Sequence, residues 1–413
     1  MPLSGRARYN IVQQNDQAAG RIPLDARLEP MTAMTRRPRP CDMRLALATL
    51  MMVFAAGCVT PPALDELRRT PSPHLLPGAP AGIQDHRSRF REYFCAEFDE
   101  QRAMADASAS CESWLHQIPD EFERPTFASD TRVHLQALFV TGAFSECFGE
   151  SARPFASAIA ALAGRGDDFG TIVVGGRSGT EHNARQIAEF LEAWPGDEDK
   201  PLVLFGYSKG TSDILQFLVD YPDLANRVSA VVSVAGAVGG SPLADRYGSI
   251  YDLLFSHLPS SHCEKGDREV VDSLRTDTRR SWLAENPVPS HVRCYSLAAF
   301  TTRDRMAKAL VPSWKSLLQD SRRNDGQLLP VDSMLPQSSL LAYLNADHWA
   351  VTMELEKEHG IIASRPDPTP FPHTALLAAM LRLVGEDLAE IVPPGAAVSA
   401  HGQPRRSTPG RPK

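Results

Sequence analysis

A serine stands between two glycines in the run Gly206-Tyr207-Ser208-Lys209-Gly210. The apolar segment Leu202 to Phe205 precedes the run, and the helical pattern Thr211 to Val219 follows it. A strand, a sharp turn and a helix in this order form a nucleophile elbow, which holds the serine in a strained conformation at the top of a sheet. The flanking glycines let the strand and the helix approach without a Cβ clash. The spacing therefore predicts that Ser208 is a nucleophile.

A serine hydroxyl needs a base, and His348 follows the late apolar segment Leu340 to Leu344. The other late histidines, His359 and His373, lie in polar or Pro-rich stretches. On an elbow of this kind the histidine comes after the serine and the acid in chain order. We therefore expect His348 to be the general base.

The acid that would orient the imidazole has more than one candidate. Asp325 lies in an Asn-Asp-Gly turn in the loop before the final apolar segment. Asp304 comes sooner after the preceding apolar segment and is the alternative. Asp332 and Asp347 fit less well, Asp347 because the side chain of a residue adjoining the histidine tends to point elsewhere. The sequence favours Asp325 and leaves Asp304 open.

An acyl-transfer site also needs two backbone N–H groups aimed at the developing oxyanion. Lys209, directly after the nucleophile, would supply one of them. The loop Thr141 to Phe144, after the apolar segment Val133 to Val140, would supply the other, with Ala143 as the first choice and Phe144 as the second. We expect the side chain of Lys209 to be solvated or to cap the helix.

The elements that must position these residues alternate along the chain. Strands are predicted at 133–140, 171–174, 202–205, 230–235, 292–299 and 340–344, and helices at 151–163, 180–193 and 211–219. Continuous apolar runs are typical of a parallel sheet buried on both faces. Alternation with helices predicts an α/β fold with a mostly parallel, doubly wound sheet and helices on both faces.

With these residues in place, the stretch from about 133 to 385 resembles bacterial lipases and esterases of the α/β-hydrolase superfamily. The matching pieces are Thr141-Gly142-Ala143, Asn183-Ala184-Arg185-Gln186-Ile187, the elbow at Ser208, Asn324-Asp325-Gly326 and His348. Asp325 and His348 are 23 positions apart. The family places its acid in such an Asn-Asp-Gly loop, which further favours Asp325.

The resemblance implies a serine hydrolase that cleaves carboxylic esters of small molecules or lipids, without a cofactor. Two features depart from the family. Thr141-Gly142 replaces the usual His-Gly, and the acidic residues that hold structural calcium in some of these lipases have no counterpart after His348. We therefore expect no metal. A thioesterase, an amidase or peptidase, and a non-catalytic binding protein on the same fold remain alternatives.

The segment 239–287 contains closely spaced apolar residues: Tyr247, Ile250, Tyr251, Leu253, Leu254, Phe255 and Leu258. It would give an apolar face to an acyl chain as a lid over the active site. A core helix is the other interpretation, and the sequence favours neither. The turn 175–180 lacks the lysine of a P-loop and is read as a connection from strand to helix.

The N-terminal region is typical of an exported protein. Arginines precede the apolar run Leu45 to Ala56, which is too short to span a bilayer and ends in Ala55-Ala56-Gly57-Cys58. Small residues before a cysteine are similar to a lipobox, so we expect a signal peptide within residues 1–57 and lipidation, for example by palmitate, at Cys58. Because Val59 is not an aspartate, the outer membrane, facing the periplasm or the exterior, is the favoured location.

The remaining organisation follows from composition. Residues 58–84 are Pro-rich and are predicted to be a tether, residues 85–392 the hydrolase domain, and residues 393–413 a disordered tail. The formal net charge is -7, and no basic stripe with interleaved aromatics is present, which argues against nucleic acid as a partner.

Seven cysteines occur along the chain. In an oxidising compartment the five that follow Cys58 would form two disulfides and leave one thiol. Proximity in sequence favours pairing Cys95 with Cys111 and Cys263 with Cys294.

Overall fold

The computed structural model describes residues 82–105, 110–117, 132–255 and 266–390, apart from residues 356, 358–359, 361–362 and 368. The predicted signal peptide, Cys58, nearly all of the tether and the C-terminal tail lie outside these ranges. Among the helices that are described, none is long and apolar enough to cross a bilayer.

A seven-stranded sheet forms the centre of the domain, with the strand order β1-β7-β6-β5-β4-β2-β3 and parallel pairing throughout. The strands are β1 (Gln84–Asp85), β2 (Gln136–Val140), β3 (Asp168–Ile172), β4 (Leu202–Tyr207), β5 (Val228–Val234), β6 (Arg293–Ala299) and β7 (Ser339–Leu344). Every residue of β2 and β4 is buried, as expected of strands covered on both faces. The predicted α/β fold class is confirmed.

Helices cover both faces of the sheet. They are α1 (Arg87–Ala105), α2 (Ala156–Leu162), α3 (Thr180–Ala193), α4 (Lys209–Asp220), α5 (Pro222–Ala225), α6 (Pro242–Phe255), α7 (Thr276–Glu285), α8 (Val311–Leu317) and α9 (His373–Ala389). One apolar core joins α1, α2 and α9 to the sheet, and a second joins α3 and α4 to the opposite face. In α3, residues Ala184, Ile187, Ala188 and Leu191 repeat at helical spacing and are buried.

The chain changes direction within the sheet after β2. From β2 it runs to the edge strand β3 and then returns to β4 on the other side of β2. The connections that leave the carboxyl ends of β2 and β4 therefore diverge, and ligands of open α/β sheets bind at such a switch point. The loop 141–145 and the elbow at Ser208 both begin there.

Most element bounds differ from the sequence prediction by a few residues, and two elements differ the most. The predicted helix 151–163 begins only at Ala156, because Pro154 and the left-handed Phe155 (φ 58°) separate it from a 3-10 segment at Ser145–Ala152. The third strand runs over Asp168–Ile172 rather than 171–174. It is an edge strand that pairs with β2 alone, and its half-buried residues carry a weaker apolar pattern than those of the inner strands.

One of the two proposed disulfides is present and the other was predicted wrongly. Cys95 and Cys111 are bonded, and Cys147 is also disulfide-bonded. Cys294, in contrast, is a free thiol buried in β6, where it packs in the core beneath α3 and α4. Cys263 lies outside the described residues.

Candidate active site

Ser208 occupies the turn between β4 and α4, with φ 52° and ψ -127°. This is a strained conformation for a residue with a Cβ atom. The glycines on either side permit it. A Cβ atom on Gly206 would lie 2.5 Å from Cα of Thr211, and one on Gly210 would lie 2.5 Å from the carbonyl oxygen of Val140. The structure thus places Ser208 on the elbow that the sequence predicts.

His348 lies in the loop after β7, and its Nε2 atom is 2.8 Å from Oγ of Ser208. Its Nδ1 atom is 2.7 Å from Oδ2 of Asp325. The ionised carboxylate can only accept, so Nδ1 carries the proton and Nε2 is free to accept the serine proton. Both His348 and Asp325 are buried. The structure brings these three residues into one hydrogen-bonded chain.

Backbone groups hold Asp325 in this orientation. Its Oδ1 atom accepts hydrogen bonds from the amides of Gln327 (2.8 Å) and Leu328 (2.7 Å), which leaves Oδ2 for the imidazole. The amide of His348 donates to the carbonyl oxygen of Asp325 (2.8 Å), so the two loops are also joined through their backbones. The Asn-Asp-Gly turn permits this geometry because Gly326 has a φ of 94°.

The other acids face elsewhere. Asp304 is exposed in the 3-10 turn Arg303–Arg305 and accepts a hydrogen bond from the hydroxyl of Thr302. Asp347 accepts from the amides of Ala307 (2.7 Å) and Ala350 (2.8 Å). Asp332 accepts from Arg280 at 3.1 Å, and its burial raises its pKa to about 6.

The loop after β2 brings Ala143 close to the elbow. A Cβ atom on the preceding Gly142 would lie 3.0 Å from Cβ of Ser208, so the approach requires a glycine. In the described part of the chain, the amides of Ala143 and Lys209 donate to no acceptor, whereas the amide of Phe144 donates to the carbonyl oxygen of Gly176 (3.0 Å). This favours Ala143 over Phe144 as the second oxyanion donor, with Lys209 as the first.

The prediction for the side chain of Lys209 was wrong. It is completely buried, and its Nζ atom lies 2.5 Å from Oδ1 of Asp213. The helical pattern of α4 gave no sign of this, because α4 is buried on nearly all sides rather than along one stripe.

A pocket with a volume of about 140 Å³ opens beside Ser208 and His348. Two groups of apolar residues form its walls. The first contains Ala143, Phe144, Ala244, Val270, Val271 and Leu274, and the second contains Phe148, Ala152, Tyr207, Trp349, Met353 and Leu355. Such a cavity suits an apolar group next to the nucleophile.

The start of the predicted lid contributes to this pocket. Leu243 and Ala244 at the beginning of α6 line it, while Leu243 and Tyr247 also pack on Leu317 and Leu329. This part of α6 is therefore anchored to the body of the domain. The side chains of the other apolar residues named for the lid, Ile250, Tyr251, Leu253, Leu254, Phe255 and Leu258, lie outside the described residues.

Among the described residues, no cluster of three or more histidine, cysteine or carboxylate side chains could hold a metal ion. Sequence reasoning missed one contact of the site, the hydrogen bond from the hydroxyl of Tyr207 to the carbonyl oxygen of His348. The only indication of this contact in the sequence was the tyrosine within the elbow motif.

The solved structure of the metagenomic carboxyl esterase MGS0156 is similar to this chain, with 35% sequence identity and a TM-score of 0.66. The match covers 79% of this chain and 100% of that one. The chain belongs to the same α/β-hydrolase family as this carboxyl esterase.

Two further solved structures are similar to a smaller part of this chain. The mature lipase BlEst2 from Bacillus licheniformis is 20% identical over 55% of this chain and 89% of its own, with a TM-score of 0.44. Lipase 1 from Pelosinus fermentans is 11% identical over 62% of this chain and 99% of its own, with a TM-score of 0.45. No protein-family model and no curated protein matches the chain.

Proposed function

We propose that this α/β-hydrolase is a serine hydrolase that cleaves carboxylic esters through an acyl-enzyme. The observation that carries the proposal is the hydrogen-bonded chain from Ser208 through His348 to Asp325 at an apolar pocket. The chain also belongs to the same family as a carboxyl esterase, which supports a carboxylic ester as the bond that is cleaved.

In the first half of the reaction, Oγ of Ser208 attacks the ester carbonyl carbon while Nε2 of His348 takes the hydroxyl proton. The carbonyl oxygen becomes an oxyanion that accepts hydrogen bonds from the amides of Ala143 and Lys209. Asp325 stabilises the charged imidazolium. When the carbon–oxygen bond to the alcohol breaks, the proton on Nε2 moves to the departing alkoxide.

In the second half, His348 removes a proton from a water molecule that attacks the acyl-enzyme carbonyl. The second tetrahedral intermediate uses the same two amides. Its collapse releases the carboxylic acid and returns the proton to Oγ of Ser208, which regenerates the starting state. The apolar walls of the pocket favour substrates with an apolar group beside the ester.

A fluorophosphonate probe tests the nucleophile directly. We expect it to label the protein once, at Ser208, and to leave Ser208→Ala unlabelled although that variant stays folded by circular dichroism. Folded parent protein that does not react would contradict the proposal and favour a binding role.

A substrate panel tests the bond type. We expect p-nitrophenyl esters to be hydrolysed with a higher kcat/KM than thioesters and anilides that carry the same acyl group. A preference for the thioester or the anilide would replace the ester hydrolase with one of those activities.

We further propose that the hydrolase is exported and held at the cell envelope, in the outer membrane, by lipid on Cys58. This rests on the apolar run and the small residues before that cysteine. Metabolic labelling with an alkyne palmitate should mark the parent and not Cys58→Ser. Equal labelling of both proteins would contradict lipidation at this cysteine.

A further inference from the structure

The side chain of Lys209 is 0% exposed, although lysine is among the residues that are least often buried. It forms an ion pair with Asp213, one turn further along α4, which is also 0% exposed. Burial lowers the pKa of Lys209 and raises that of Asp213, because each charged form loses its water. Apolar residues of similar volume often stabilise a fold as well as such a pair does. Stability alone therefore does not account for its presence beside the nucleophile.

The second carboxylate oxygen of Asp213 continues the contact away from α4. It accepts a hydrogen bond from Nδ2 of Asn183 on α3 (2.9 Å). The same nitrogen donates to the carbonyl oxygen of Gly175 (3.1 Å), in the turn between β3 and α3. The amide of Gly175 donates to the side chain of Gln186 (2.8 Å), so this turn is fixed from two sides.

The 175–176 turn also contacts the loop after β2. The carbonyl oxygen of Gly176 accepts the amide of Phe144 (3.0 Å), the residue directly after Ala143. A Cβ atom on Gly176 would lie 2.7 Å from the nitrogen of Phe144, so the two segments are in close contact. Phe144 itself has a φ of 60°, which only a well-packed surrounding maintains.

A third charge lies next to this pair. Arg279 on α7 is 1% exposed, and its Nε atom donates to the carbonyl oxygen of Val238 (3.2 Å). Burial lowers its pKa to about 10, so it stays protonated at neutral pH, and its charge acts on both Lys209 and Asp213. Asp213 therefore retains a nearby buried cation when Lys209 is replaced.

The two candidate oxyanion donors lie on different elements, Lys209 at the start of α4 and Ala143 in the loop after β2. We propose that Lys209 and Asp213 are positioning residues whose buried ion pair, extended through Asn183 and the 175–176 turn, fixes the spacing of these two amides. This inference rests on the proposed ester hydrolysis, since the amides matter only when an oxyanion forms. Neither side chain touches the substrate.

The variant Lys209→Met tests the proposal, because it keeps the length of the side chain and removes its charge. We expect kcat for p-nitrophenyl butyrate to fall about 100-fold, the usual effect of a small misplacement of a catalytic group. KM should change little, because the two amides bind the oxyanion of the transition state much more strongly than the carbonyl oxygen of the bound ester. The affinity for a trifluoromethyl ketone, whose adduct places an oxyanion between the two amides, should fall by the same factor as kcat/KM.

A second variant, Asn183→Ala, keeps the ion pair and removes its link to the 175–176 turn. We expect a smaller fall in kcat, about tenfold, with KM again little changed. This variant decides the question alone if Lys209→Met does not fold.

The matched control is Arg89→Met, which removes a cation from the α1–α9 layer. Arg89 pairs there with Asp387 (2.5 Å) and Glu386 (3.2 Å). This variant should have a lower melting temperature and the kcat and ketone affinity of the parent. If Asn183→Ala and folded Lys209→Met also keep the kcat and ketone affinity of the parent, the pair is only structural and the proposal is overturned.

Labelling with a fluorophosphonate separates this result from a failure of the proposed function. One mole of probe per mole of parent and of each variant shows that the nucleophile is intact, so a lower kcat then reports on the oxyanion donors. A parent protein that does not react with the probe overturns the ester-hydrolase proposal and this inference with it.

Discussion

The hydroxyl of Tyr207 donates a hydrogen bond to the carbonyl oxygen of His348, with an O···O distance of 2.9 Å. Tyr207 directly precedes the candidate nucleophile, and its ring centroid lies 5.2 Å from that of the imidazole. Burial raises the pKa of this phenol well above its ordinary value, so it stays protonated and remains a donor. The bond joins the elbow after β4 to the loop after β7.

Removal of that bond should misplace the imidazole. We expect Tyr207→Phe to reduce kcat about tenfold with little change in KM, because the loop that holds His348 loses a fixed point next to Ser208. The free energy of unfolding should fall by about 1–3 kcal/mol, since a buried carbonyl loses its donor. Ester kinetics and urea unfolding measure the two effects.

The control for this variant is Tyr295→Phe, which removes a hydrogen bond to Asp387 (2.9 Å) in the α1–α9 layer. It should lower stability and leave kcat unchanged. An unchanged kcat in Tyr207→Phe, or an equal loss in both variants, would contradict the role given to Tyr207.

The choice of acid gives a second prediction. In Asp325→Asn, the side-chain oxygen would keep the amides of Gln327 and Leu328, and the new NH₂ group would face Nδ1 of His348. Nδ1 would then have to accept, which moves the imidazole proton to Nε2 and blocks transfer from Ser208. We expect kcat to fall by about 10⁴, the usual cost of the wrong tautomer.

The matched variant Asp304→Asn should retain the parent kcat, because Asp304 is exposed and bonded to Thr302. Steady-state hydrolysis of one ester by both purified variants measures the two kcat values. A large loss in Asp304→Asn together with an active Asp325→Asn would reverse the assignment.

The sequence predicted those parts of the molecule that short patterns encode. The elbow depends on two glycines and on the strand and helix beside them, all within twenty residues of Ser208. The Asn-Asp-Gly turn likewise specifies its own conformation through Gly326. The inner strands are mostly apolar, so their positions along the chain could be predicted before their neighbours in the sheet were known.

Features that depend on contacts between distant segments were not predictable. The residues around Lys209 in the sequence do not indicate that its side chain would be completely buried. The free state of Cys294 follows from its place inside β6, whereas proximity in sequence suggested a disulfide. The first residues of β3 were missed because an edge strand needs less apolar surface than an inner one.

A third prediction concerns pH. His373 is buried, its Nε2–H group donates to the carbonyl oxygen of Ala350 (2.7 Å), and burial lowers its pKa to about 4. Because this pKa lies below that of the unfolded chain, the unfolded chain binds the proton first as the pH falls. Above about pH 6.5 the imidazole is neutral in both states and does not lower the free energy of unfolding. Between about pH 6.5 and pH 4 the free energy of unfolding falls, because only the unfolded chain is protonated there.

His373→Gln isolates this effect, since glutamine keeps an N–H donor and does not titrate. We expect the free energy of unfolding of the parent to fall by about 2 kcal/mol more than that of the variant between pH 7 and pH 5. Urea unfolding at the two pH values measures the difference. Parallel losses in both proteins would show that His373 does not control this dependence.

The last prediction concerns the Cys95–Cys111 disulfide, which joins α1 to the 3-10 turn at Cys111–Trp114. That turn supports the loop before His348, because the carbonyl oxygen of Trp114 accepts the amide of Asn345 (2.8 Å). The double variant Cys95→Ala/Cys111→Ala should lose about 3 kcal/mol of unfolding free energy, the chain-entropy value for a loop of about 15 residues. The disulfide of Cys147 stays intact in this variant, so urea unfolding reports on the one bond. Cys294→Ala removes a thiol that forms no disulfide, and it should lower the free energy of unfolding by a smaller amount. A double variant that unfolds at the same urea concentration as the parent would show that the bond does not stabilise the domain.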